Sequence, residues 1–156
     1  MRTMKYLFIC ICAIFLNSCE SNKNTLKNIS VLSGTDTAIV GISLDEKGYP
    51  QHTVGRIDVK PGQKILFAGP EKFSIFFKNG ISPYNDTDFR DLPGLNRESL
   101  QKKRVELTSI NGIVLIVIPK DFFERPENKG KPYIDYYYGI NVNGLEIDPP
   151  FRVIPI

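Results

Sequence analysis

Glycine and proline interrupt the chain about every ten residues beyond residue 30: Gly34, Gly48-Tyr49-Pro50, Pro61-Gly62, Gly69-Pro70, Gly80, Pro93-Gly94, Gly112, Pro119, Gly130, Pro132, Gly144 and Pro149-Pro150. Glycine permits positive φ, and proline fixes φ and removes a backbone donor, so each break ends a regular element. Helices of ordinary length do not fit between them. Short strands joined by turns do, and the spacing predicts an all-β domain over residues 29–156.

The intervening segments have strand character. Ala38 to Leu44 is rich in β-branched and aliphatic residues. Arg56 to Val59 runs into Lys60-Pro61-Gly62-Gln63 and returns as Lys64 to Ala68, which reads as a hairpin. Phe73 to Lys78 alternates Phe73, Ile75 and Phe77 against Ser74, Phe76 and Lys78. Ile113 to Ile118 is continuously apolar, the pattern of a central strand covered on both faces. From Tyr133 to Asn141, Ile134, Tyr136, Tyr138 and Ile140 share one side, and Tyr133, Asp135, Tyr137 and Gly139 share the other. Asn143-Gly144 predicts a tight hairpin, because both residues accept positive φ. One stretch departs from this pattern. Asn96 to Thr108 sets Leu100, Arg104 and Leu107 at helical spacing behind a possible N-cap at Asn96, which predicts a short helical insertion around 96–108. Its basic run Lys102-Lys103-Arg104, flanked by Glu98 and Glu106, reads as a solvated face.

Residues 1–18 carry a different signal. Arg2 and Lys5 precede the uncharged run Tyr6 to Leu16, whose 11 residues fall short of the ~18 needed to cross a bilayer and suit the core of a secretory leader. Leu16-Asn17-Ser18-Cys19 resembles the lipobox of bacterial lipoproteins, with Asn17 the loosest match. The resemblance implies removal of 1–18, lipid on Cys19, a membrane anchor, and delivery to the outer membrane facing the periplasm, since Glu20 is not the Asp of the inner-membrane retention rule. Cys10 and Cys12 leave with the leader, so Cys19 is the only mature cysteine and no internal disulfide can form. Residues 19–28 are polar and read as a flexible tether. Arg2 and Lys5 are also lost, leaving 18 of the 20 basic side chains against 17 acidic ones and a net charge of +1. A nucleic-acid partner has no support at that charge.

Two blocks carry a second resemblance: Arg56 to Phe77 followed by Ser82-Pro83-Tyr84, and Tyr133 to Val142 followed by Asn143-Gly144 and Ile147-Asp148-Pro149. In this order they resemble small bacterial secreted domains with a cupredoxin-like fold. The resemblance implies an antiparallel Greek-key β-sandwich, cupredoxin-like or immunoglobulin-like. Its copper-binding members need a thiolate and imidazoles, and Ile113 to Ile156 contains no Cys, His or Met. Tyr136, Tyr137 and Tyr138 stand where the thiolate is expected, so type 1 copper and electron transfer are excluded and no cofactor is expected.

His52 is the only histidine, and no nucleophile and base flank it at a recognisable spacing, so it reads as an exposed loop residue. Asp86, Asp88 and Asp91 lack the glycine and terminal glutamate of an EF-hand loop and read as solvated. No catalytic residue and no metal ligand is assigned. Tyr133, Asp135 and Tyr137 are the candidate partner surface: alternate residues stand about 6.5–7 Å apart on one strand face, where two rings and a carboxylate suit a sugar or a peptide. The sequence therefore predicts a lipid-anchored, non-enzymatic binding or structural module for an envelope protein or glycan. The alternative is a hydrolase with a carboxylate pair on a sandwich scaffold.

Overall fold

The computed structural model describes residues 28–30, 36–79, 81–85, 92–101 and 104–156. The leader, Cys19, all but the last residue of the tether, Asp86, Asp88, Asp91 and Lys102-Lys103 lie outside the described residues. In chain order the strands are β1 (Asn28–Ser30), β2 (Thr37–Leu44), β3 (Pro50–His52), β4 (Arg56–Val59), β5 (Lys64–Ala68) and β6 (Ser74–Phe77). The one-turn helix α1 (Arg97–Leu100) follows, then β7 (Val105–Thr108), β8 (Ile113–Val117), β9 (Ile134–Tyr137), β10 (Gly139–Val142), β11 (Leu145–Ile147) and β12 (Pro150–Val153). The fold is mostly β, as the glycine and proline spacing predicts.

Among the described residues the strands form three four-stranded sheets, ordered β1-β4-β12-β9, β11-β10-β6-β7 and β3-β2-β5-β8. Six pairings are antiparallel, whereas β1 with β4, β4 with β12, and β2 with β5 are parallel. The sheets are therefore mixed rather than uniformly antiparallel. The turn at Lys60 to Gln63 contributes to this. Pro61 and Gly62, the latter at φ 84°, occupy the central positions, and the Gln63 N–H donates to the Lys60 carbonyl at 3.0 Å. That residue pattern belongs to a type II turn, whose twist splays flanking strands instead of pairing them. The expected hairpin is accordingly absent: β4 lies in the first sheet and β5 in the third. The turn's backbone bonds instead to Ile118, just after β8, through Gly62 N–H to Ile118 O and Ile118 N–H to Gln63 O.

Two further expectations are corrected. The apolar run of β8 is an edge strand, with Val114, Ile116 and Ile118 buried while Ile113 and Val117 stay exposed. On its outward face Leu115 lies in register with Leu66 and Ile39 across the sheet, a row that is exposed at Ile39 and half-buried at Leu66 and Leu115. The helical spacing over 96–108 yields only one turn. Asn96 caps it, its side-chain oxygen accepting from Glu98 N–H at 3.1 Å. Arg104 N–H then returns to the Ser99 carbonyl, and Val105 to Thr108 pair with β6, so Leu107 is buried from a strand. A single turn cannot sustain itself against that ladder, because helix nucleation fixes several residues for one hydrogen bond.

Tyr133 to Val142 keeps the predicted alternation. Tyr136, Tyr138, Ile140 and Val142 are buried and Ile134 packs against the core, while Tyr133, Asp135 and Tyr137 point out. This segment crosses between sheets. β9 pairs with β12, β10 pairs with β6, and at the switch Tyr138 N–H donates to Pro149 O at 3.1 Å. Its inward rings join the layers into one core: Phe67 lies 5.1 Å from Tyr138, Tyr138 lies 6.1 Å from Phe151, and Tyr136 stacks on Phe151 at 5.1 Å. Each such ring contributes about 1.5–3 kcal/mol by leaving water, so this aromatic column fixes how the sheets meet. The Asn143-Gly144 turn forms as predicted, with φ of 53° and 86° between paired Val142 and Leu145.

Candidate functional site

The outward side of the strand from Tyr133 to Asn141 passes from one sheet to the next without a break in alternation, so its side chains form one track. Tyr133 is covered by the Arg152 guanidinium, 3.7 Å above its ring. Arg152 sits opposite Asp135 in the ladder and holds it with two bonds, at 2.6 and 2.8 Å. The hydrogen bonding from Arg152, helped by the charges of Arg152 and Arg56, outweighs burial and keeps the Asp135 carboxyl below the usual aspartate range. It is an anion at neutral pH. Asp135 and Tyr133 are thus already engaged with protein groups. Tyr137 differs: it is 69% exposed, the most open aromatic ring on the described surface.

Tyr137 borders an open cleft of about 430 Å³, lined by Lys78, Asn79, Ile81, Asp135, Gly139 and Asp148 as well. Lys78 Nζ bonds Asp148 at 3.1 Å and lies 3.7 Å from Glu146. Burial alone would raise the Glu146 carboxyl, but bonds from Asn141 and Arg104 outweigh it and hold it below its ordinary value. The floor is set by Gly139, directly opposite Phe76 in the ladder. A Cβ on Gly139 would overlap the outer edge of the Phe76 ring, so the glycine admits the ring and the ring covers the glycine. Arg104 stacks on Phe76, 3.5 Å from its centre, and Lys78 approaches at 5.1 Å. These contacts explain how Phe76 is fully buried on the outward side of β6.

The track gathers the three residues singled out from the sequence, with Gly139 on the same face by alternation, and adds three that spacing does not reveal: Lys78, Arg152 and Asp148. Arg152 and Lys78 become visible only once strand partners are known, since cross-strand neighbours depend on register. His52 lies elsewhere. It is on β3, not in a loop, and is half buried. Desolvation lowers its pKa, against the smaller opposing effect of a backbone hydrogen bond with Val54. Among the described residues, no three His, Cys, Asp or Glu side chains gather closely enough to hold a metal ion. The chain matches no protein-family model and no curated protein.

Proposed function

We propose that the protein is a lipid-anchored lipoprotein of the bacterial cell envelope, acylated on Cys19, and that its domain is a non-enzymatic binding module for an envelope protein or glycan. Its finer architecture on this reading is a cupredoxin-like Greek-key sandwich without copper ligands. The anchor rests on Leu16-Asn17-Ser18-Cys19 and the apolar run before it. The binding role rests on one observation: an exposed Tyr137 ring beside a cleft whose polar walls are already ordered by ion pairs. Amphipathic rings on rigid strands are the side chains that contribute most to recognition at least entropic cost.

Asp135 and Asp148 line the same cleft, as a hydrolase with two carboxylates would require. Their environments argue against that use. A glycosidase needs one carboxylic acid kept protonated by a raised pKa, whereas Asp135 is held as an anion by Arg152 and Asp148 is bonded to Lys78. The test is sedimentation of the purified Cys-free mature chain with isolated envelopes. Saturable co-sedimentation should weaken at least tenfold in Tyr137→Ala and persist in Tyr49→Ala, a control at another exposed ring. Equal sedimentation of the two variants would remove the cleft from the proposal.

A further inference from the structure

The chemistry of the cleft narrows its ligand, given the binding reading above. Its walls carry two carboxylates, Asp135 and Asp148, and each is matched by a cation, Arg152 and Lys78. No uncompensated charge among the described lining residues calls for an ion, so neither an anionic nor a strongly cationic ligand gains by entering. What the walls offer instead is donor and acceptor side by side. Lys78 Nζ and Asp148 Oδ2 are 3.1 Å apart, and Arg152 Nη2 and Asp135 Oδ2 are 2.8 Å apart. A pair of adjacent hydroxyls is spaced similarly, and each hydroxyl both donates and accepts. Such a pair can bond to the ammonium and the carboxylate together without introducing charge.

The apolar part of the lining fits the same ligand. It consists mainly of the Tyr137 ring and Ile81, both largely exposed, rather than a closed pocket for an anchoring peptide side chain. A ring of this kind presents a flat face to the C–H side of a pyranose. Asn79 adds an amide with two donors and one acceptor at the rim, held at φ 60° by its turn.

We infer that the Tyr137 cleft binds a neutral saccharide chain, one sugar stacking on Tyr137 while its hydroxyls bond to the Lys78–Asp148 pair. The inference rests on the binding reading, and the test separates the two. The full mature lipoprotein, in a detergent without a sugar headgroup, is titrated calorimetrically with four hexamers: cellohexaose, chitohexaose, hexagalacturonate and fully deacetylated chitohexaose. Saturable binding of at least one neutral hexamer is expected, changing less than twofold between 50 and 500 mM salt, with about tenfold weakening in Tyr137→Ala, which is 1.4 kcal/mol. Lys78→Met should weaken it too, with the melting temperature of Tyr137→Ala unchanged. Preferential, salt-sensitive binding of a charged hexamer overturns the inference. So does silence from all four hexamers. If envelope sedimentation still depends on Tyr137 in that case, the binding module stands with a protein partner; if it does not, both readings fall.

Discussion

Tyr138→Phe should stabilise the domain. The Tyr138 side chain is fully buried between Phe67 and Phe151, and its hydroxyl has no hydrogen-bond partner among the described residues. A buried donor left unpaired costs about 1–3 kcal/mol, while the dispersion lost with one oxygen is far smaller. A gain of about 1 kcal/mol is expected. Unfolding entropy of about 2.1 cal/mol/K per residue makes that worth roughly 4 °C for a domain of this length. A second signature comes from pH. Burial pushes the Tyr138 hydroxyl far above its ordinary value and Tyr136 up to about 12. Above about pH 10 the unfolded chain releases these protons and the folded chain keeps them, so stability is full below that pH and falls as pH rises through the folded values. Tyr138→Phe lacks its share of this loss, so its advantage over the parent should widen above pH 10. Thermal and urea melts of both proteins at pH 7 and pH 10.5 measure it. A variant melting more than 2 °C below the parent at pH 7 would falsify the reasoning, because it would mean that the hydroxyl has a partner such as a buried water.

Gly139→Ala should destabilise by about 1–3 kcal/mol through overpacking against Phe76, and the loss should shrink when Phe76→Leu is added; additive losses in urea melts would count against the ring-over-glycine contact. Arg152→Gln should move the Asp135 carboxyl up toward its ordinary value, read by NMR titration. The depressed carboxyl adds stability above its unfolded value near 3.9, which is lost as pH falls through the folded one; an unchanged midpoint in Arg152→Gln would refute the attribution. Cys19→Ala should leave the chain unprocessed or mislocalised, and a variant that is cleaved and lipid-labelled like the parent contradicts the lipobox.

Alternation and turn chemistry were legible because they are local. The two faces of Tyr133 to Asn141 and the Asn143-Gly144 turn follow from periodicity two and from positive φ, and the structure keeps both. Strand pairing was not legible, because it depends on what each strand meets after the turn. Lys60 to Gln63 has hairpin-like flanks, yet its Pro-Gly centre sends β5 to Ile118 and β2 rather than to β4. Ile113 to Ile118 has the composition of a doubly covered strand, but composition carries no record of whether a layer lies on each face. The same limit applied to the site. Alternation alone places Tyr137 on the outward face, while the nearness of Lys78 and Asp148 depends on the pairing of β10 with β6 and β11.

One strand therefore carries both the core and the candidate surface, and its two faces can be separated experimentally. Tyr138 and Tyr137 are chain neighbours, one fully buried in the aromatic column and one 69% exposed on the cleft. Because β9 and β10 are paired to β12 and β6, the backbone under Tyr137 is fixed before any ligand arrives, and little ordering entropy remains to be lost on binding. Stability should then respond to Tyr138 and recognition to Tyr137, with little crossover. Tyr138→Phe should keep envelope sedimentation within twofold of the parent, and Tyr137→Ala should keep the parent melting temperature within about a degree, since an exposed ring that points away from the core costs little to remove. Loss of sedimentation in Tyr138→Phe, with stability retained, would show that the switch between sheets moves and that the cleft is not preformed.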